Sequence, residues 1–200
     1  MKRTTGVALA EQYDGVLLDA YGVLVDASGA IEGAQDFLHH LDAVKTPYLV
    51  VSNDTSKLPE SAERIYAERG VKVRKDRILT SGMLIAGYFE EAQLVEKRCL
   101  VLGPPDTKTY VAKAGGIVED TDDPEVIVVG DEAGFDLLQM LDRALSAIIK
   151  GYEKGASPEV VCPNPDLIYP KGGGDFGFAA GSLARMLEEG ASRRLGFEVR

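Results

Sequence analysis

The stretch Val16-Leu17-Leu18-Asp19-Ala20-Tyr21-Gly22 passes from a short apolar run straight into a carboxylate and then a glycine. So brief and continuous a run predicts a buried strand, and the glycine after it predicts a sharp turn. Further along, Ala34 to Val44 carries Phe37, Leu38 and Leu41 at helical spacing, and Tyr48-Leu49-Val50-Val51 repeats the buried-strand pattern. The turn and capping residues Asp54-Thr55-Ser56-Lys57-Leu58-Pro59-Glu60 open a second helix, expected to run to about Arg69 and to end at Gly70. Ile78-Leu79-Thr80 then reads as a third strand, stopping at Ser81-Gly82. The order βαβαβ with continuous apolar strands indicates a parallel sheet crossed over by helices.

The remainder of the chain repeats this alternation. A helix is expected near Met83 to Gln93, strands at Arg98 to Leu102, Val126 to Val129 and Glu159 to Cys162, and helices near Thr107 to Ala114 and Phe135 to Gly151. The last helix is expected over Gly181 to Glu189, and Arg193 to Arg200 reads as the start of another strand. Lys171-Gly172-Gly173-Gly174 reads as a loop. The fold class is therefore α/β, a parallel sheet crossed over by helices and followed by a second α/β unit.

Composition narrows the function. The chain has 200 residues, 45% hydrophobic and 27% charged, with a net charge of −10. That charge argues against a nucleic-acid partner, which would need a basic face. No apolar run approaches the roughly 20 residues that a membrane-spanning helix requires, and Glu11 and Asp14 interrupt the stretch after the basic N-terminus. A cytoplasmic protein without membrane association is expected. Cys99 and Cys162 lie far apart in apolar stretches and are expected to be buried free thiols.

In open α/β sheets, ligands gather at the carboxyl ends of the strands. Asp19 stands at one such end and Ser52-Asn53 at the next. A carboxylate there can serve as nucleophile or magnesium ligand, and a hydroxyl and an amide can bind phosphate oxygens. His39-His40 lack a partner at ligand spacing and read as surface residues. Thr80-Ser81-Gly82 is either a helix cap or a neighbour of the site. The glycines at 172 to 174 have no Lys-Ser/Thr after them, so they are not a nucleotide-binding loop.

Val16-Leu17-Leu18-Asp19-Ala20-Tyr21-Gly22-Val23-Leu24 resembles the first motif of the haloacid dehalogenase superfamily, and Leu49-Val50-Val51-Ser52-Asn53-Asp54 resembles its second. Ser52 follows Asp19 too soon for a cap domain to lie between them. The resemblance is therefore to subclass IIA, the nitrophenylphosphatase-like group, whose cap follows the third strand. Asn164-Pro165-Asp166-Leu167-Ile168-Tyr169-Pro170 and the later Gly181-Ser182-Leu183 are similar to the end of that cap. The resemblance implies an α/β fold with a Rossmann-like parallel sheet core whose N-terminal part is residues 1–85, an inserted α/β cap domain over 86–190 and a return towards the core over 191–200.

It also implies a chemistry. Asp19 would attack phosphorus to form an aspartyl-phosphate, Mg2+ would be held by the Asp19 carboxylate and the Tyr21 backbone carbonyl, and Ser52 and Asn53 would bind the phosphoryl oxygens. Asn164 and Asp166 would face a small phosphorylated metabolite from the cap. A homo-oligomer is compatible with such a protein.

Two departures stand out. Phosphatases of the superfamily usually carry a second aspartate two residues after the nucleophile, where this chain has Tyr21. A phenol can donate a proton but is a poor base for activating water, so Tyr21 implies slow turnover or another reaction. Asp19-Ala20-Tyr21-Gly22 in fact looks like the first motif of the 2-haloacid dehalogenases, which need no metal, although their cap is placed differently. Second, the family's lysine and acidic motifs should follow the cap, and no such pair is read before Arg200. The chain is accordingly expected to be a fragment of a longer one, with the strand bearing Asp19 left as an open edge.

Gly130-Asp131-Glu132-Ala133-Gly134-Phe135-Asp136, with Lys113 before it, imitates the acidic motif and offers a capless alternative. The principal expectation is a magnesium-dependent phosphatase. The alternatives are a degenerate member that binds a phosphorylated ligand or protein partner without catalysis, and a metal-independent dehalogenase.

Overall fold

The computed structural model describes residues 5–172 and 174–196. The chain divides into two compact units, the first comprising Met1–Ser52, Pro59–Thr80 and Lys171–Asp175, the second Asn53–Leu58, Ser81–Pro170 and Phe176–Arg200.

The first unit holds a short helix α1 (Gly6–Ala10), then β1 (Val16–Asp19), a tiny hairpin of β2 (Val25–Asp26) and β3 (Gly29–Ala30), α2 (Ala34–Ala43), β4 (Tyr48–Ser52), α3 (Pro59–Glu68) and β5 (Ile78–Thr80). Strands β1, β4 and β5 form a parallel sheet in that order, with Asp19 in register with Val51 and Ser52 with Thr80. One face packs on the helices: Leu18, Val50 and Ile78 join Leu38 and Leu41 of α2 and Ala62 and Tyr66 of α3. On β1 the alternate residue Leu17 is 72% exposed, and Leu49 on β4 is also exposed. Burial at every second residue is the period of a strand buried on one side only. Among the described residues β1 is an outer strand of this sheet.

In the second unit α4 (Leu84–Glu91) leads into β6 (Arg98–Leu102), α5 (Pro105–Lys113), β7 (Ile117–Val118), β8 (Val126–Val129), α6 (Leu137–Glu153) and β9 (Glu159–Val161); β10 (Ile168–Gly172) and β11 (Asp175–Phe178) belong to it except for Lys171–Asp175, and α7 (Ala180–Leu195) follows. Its four-stranded sheet has the order β7-β6-β8-β9, parallel throughout. Both faces are covered. Leu100, Leu102, Ile127 and Val129 pack on α6 and α7, whereas Cys99, Val101, Val126 and Val128 pack on α4 and α5. Such two-sided burial is what continuous apolar strands specify.

Several elements depart from the sequence expectations. The boundary between units falls at Thr80/Ser81 rather than near residue 85, and Asn53–Leu58 group with the second unit. Arg193, Arg194 and Leu195 are helical, not strand. The basic side chains of Arg193 and Arg194 suit a helix C-terminus, and Gly196 supplies the left-handed cap at φ 78°. Residues 197–200 of that expected strand lie outside the described residues. Lys171 and Gly172 finish β10 rather than forming a loop, and β10 and β11 make a two-stranded ribbon. Cys99 is buried, but Cys162 is only partly so.

Candidate active site

The tip of β1 presents Asp19 to solvent. One carboxylate oxygen accepts the N–H of Ala20 at 2.7 Å, and the other has no hydrogen-bond partner among the described residues. The chain then turns tightly: Val25 N–H donates to the Ala20 carbonyl, and Gly22 N–H donates to the Val25 carbonyl. Gly22 has φ +85°, which a side chain would make costly. This bridge uses the groups flanking Tyr21 and leaves the Tyr21 carbonyl out. The Tyr21 ring itself is half-buried against the core of the first unit. Ser52 ends β4, one residue beyond the partner of Asp19 in the parallel register, so carboxylate and hydroxyl stand at the same end of neighbouring strands.

Asp19 and the Tyr21 carbonyl are hard oxygen donors of the kind magnesium takes, and that ion retains several waters of its own. The donor chemistry fits. No cluster of three His, Cys, Asp or Glu with metal-holding geometry occurs among the described residues.

The second unit carries the other expected residues. Asn53 donates its side-chain amide to Asp166 Oδ2 at 2.9 Å. Asn164 uses its side-chain oxygen locally, accepting Asp166 N–H at 3.1 Å in a turn. The carbonyl of Asp166 in turn accepts Gly181 N–H at 3.1 Å. A Cβ on Gly181 would come 2.3 Å from the Pro165 carbonyl oxygen, so glycine is what lets this loop lie on the start of α7.

Sequence reasoning missed the anchoring of the loop Asn53–Leu58. Ser81 Oγ donates to the Asn53 carbonyl at 2.6 Å, and its oxygen is 2.9 Å from Thr55 Oγ1. Thr107 Oγ1 donates to the Thr55 carbonyl at 3.0 Å, and Tyr110 donates to the Lys57 carbonyl at 2.8 Å. Asp106 accepts Leu58 N–H at 3.0 Å. Thr55, Ser81 and Thr107 are all buried. Buried hydroxyls must be satisfied to be tolerated, so their pairing fixes this loop. The Thr-Ser pair at the end of β5 was a visible signal; Thr107, within a helix, gave none.

The capless alternative finds no support in the geometry. Asp136 caps α6 by accepting Gln139 N–H at 3.1 Å, and Asp131 accepts Ala133 N–H at 2.9 Å. Burial pushes the Asp131 carboxyl above its ordinary range, with the nearby Asp54 adding to the shift. Lys113 is an exposed residue near the end of α5. His39 is exposed on α2, and His40 has its buried Nε2 without a partner.

The first unit thus has a parallel sheet with an exposed aspartate at its first strand tip and a serine at the next, and most of the second unit follows the third strand. The family model for haloacid dehalogenase-like hydrolases matches residues 16–117, and the chain belongs to that family. It is 27% identical over 175 residues to an acid sugar phosphatase of Staphylococcus aureus, a match that covers 87% of this chain and 63% of the relative. The chain thus spans less than two thirds of the length of that relative. Among solved structures it is similar to a possible sugar phosphatase of the superfamily from Cytophaga hutchinsonii, with a TM-score of 0.80 and 24% identity, covering 100% of this chain and 70% of the other. It is also similar to NagD from E. coli K-12, with a TM-score of 0.69 and 25% identity over 90% of this chain and 66% of that one. A p-nitrophenyl phosphatase from Archaeoglobus fulgidus shares the fold at a TM-score of 0.70, 20% identity and 92% and 66% coverage.

Proposed function

We propose that the protein hydrolyses small phosphate esters through an aspartyl-phosphate formed on Asp19. The observation that carries this reading is the exposed Asp19 carboxylate, one oxygen uncommitted, at the strand end it shares with Ser52. The names of the sugar phosphatase relatives favour a phosphorylated sugar or similar metabolite as substrate.

In the proposed sequence the free Asp19 oxygen attacks phosphorus as the ester P–O bond breaks and the leaving oxygen takes a proton. Water then attacks the aspartyl-phosphate, releasing phosphate and the carboxylate. Ser52 and Asn53 bind the phosphoryl oxygens by hydrogen bonds. The Asp19 carboxylate and the Tyr21 backbone carbonyl would hold magnesium, which would supply positive charge beside the transferring group. Tyr21 can donate to the leaving oxygen but activates water poorly, so turnover is slow. The packing of the Tyr21 ring against the core favours a second reading, a protein that binds phosphorylated ligands without turnover.

Nitrophenyl phosphate separates the two readings, because its leaving group needs no proton. The native protein with magnesium is expected to release nitrophenol, and Asp19→Asn to release none. Phosphate binding without any release in the wild type would establish the second reading instead. The soluble, cytoplasmic setting expected of such a metabolic enzyme is part of this proposal.

A further inference from the structure

We infer that Asp166 is a positioning residue: it orients the Asn53 amide for a phosphoryl oxygen and does not itself contact the substrate. This rests on the reading of Asn53 as a phosphate ligand and assigns its neighbours within the second unit.

Asn53 is gripped at two points. Its carbonyl accepts the buried Ser81 hydroxyl at 2.6 Å, within the Ser81–Thr55–Thr107 chain that fixes the loop. Its side-chain amide donates to Asp166 Oδ2 at 2.9 Å across 113 residues of sequence. An amide has two N–H groups. The carboxylate takes one and thereby sets the amide plane, leaving the other as a donor with its nitrogen end defined.

Asp166 is itself held from behind. Its N–H goes to the Asn164 side chain and its carbonyl accepts Gly181 N–H, so backbone bonds on both sides fix its direction. Each polar side chain of the Asn164-Pro165-Asp166 run therefore already has a partner within the protein. Charge points the same way. An ionised carboxylate has acceptors only and repels a phosphate, whereas one step removed it strengthens the donor that meets the phosphate.

The probes are inorganic phosphate and nitrophenyl phosphate, used on the native protein and on Asp166→Ala and Asp166→Asn. Asp166 is exposed, so neither change should disturb folding. In Asp166→Ala, affinity for inorganic phosphate should fall about tenfold, the net worth of one hydrogen bond. KM for nitrophenyl phosphate should rise in proportion while kcat changes less. In Asp166→Asn the side-chain oxygen still accepts from Asn53, so most of the loss should be recovered.

A residue that grips the leaving group behaves differently, because inorganic phosphate has none. Unchanged phosphate affinity in Asp166→Ala overturns the inference and leaves the phosphatase reading standing. A loss in Asp166→Ala that Asp166→Asn does not recover also overturns it. A wild type that binds no inorganic phosphate overturns both.

Discussion

Two strand tips in this chain look alike in sequence and differ in space. Val16-Leu17-Leu18-Asp19 and Val126-Ile127-Val128-Val129-Gly130-Asp131 each carry an apolar run into an aspartate at the carboxyl end of a parallel strand. At the first tip the carboxylate stands in solvent with one oxygen uncommitted. At the second it is desolvated and turned back on Ala133 N–H, near Asp54, Ser56 and Lys57. The strands beneath differ in the same sense: β8 is fully buried on both faces, whereas β1 leaves Leu17 bare. An apolar run followed by aspartate locates a strand end. Whether the aspartate can react depends on what covers it, which the local sequence does not carry.

Substitution at the two tips gives the largest contrast. Asp19→Asn should lower nitrophenyl phosphate turnover on the order of a thousandfold or more, whereas Asp131→Asn should leave the chemical step intact. The second change should instead raise the melting temperature at neutral pH. Burial raises the Asp131 pKa in the fold, so the folded state prefers the protonated form and loses stability as pH rises through that raised value. Asparagine removes this cost, and its advantage should shrink as pH falls into the carboxylate range. Melting curves across pH check the sign.

The strands themselves give the next contrast. Ile127, 0% exposed, should cost about 2–5 kcal/mol when truncated to alanine. Leu17→Ala, on the bare face, should fall within about 0.5 kcal/mol. Denaturant unfolding measures both, and equal losses would show that the bare face of β1 is covered in solution.

How much of this was legible follows from the same contrast. Both parallel sheets and most of their helices could be read, because buried strands and amphipathic helices write their periods into consecutive residues. Ribbons such as β10 and β11 could not, since Gly172 and Gly174 signal turns as strongly as they permit strands. The end of α7 was misread because Arg193-Arg194 followed by an apolar Leu195 fits either a helix terminus or a strand start. At the candidate site, Asp19 and Ser52 were read as strand-end residues, and each does end its strand. The Ser81–Thr55–Thr107 chain was not, because hydroxyls distant in sequence leave no periodic trace. Asn164 and Asp166 were singled out as substrate-facing, and the structure shows both engaged within the protein.

A smaller effect is expected away from both tips. The Lys97 amine, the Arg98 backbone N–H and the Arg98 guanidinium hold the Glu125 carboxyl down at about 2. Its contribution is therefore present above the ordinary carboxylate range and is lost as pH falls from about 4.5 towards 2. Glu125→Gln should be slightly less stable than wild type at neutral pH, and the two should converge at the acid end of a melting series.

The most direct test of the central claim is to catch the nucleophile. Native protein mixed with magnesium and nitrophenyl phosphate, quenched in acid within a turnover and digested, should yield the peptide containing Asp19 carrying one added phosphate. An adduct on any other residue, or turnover with none formed at Asp19, would contradict the account.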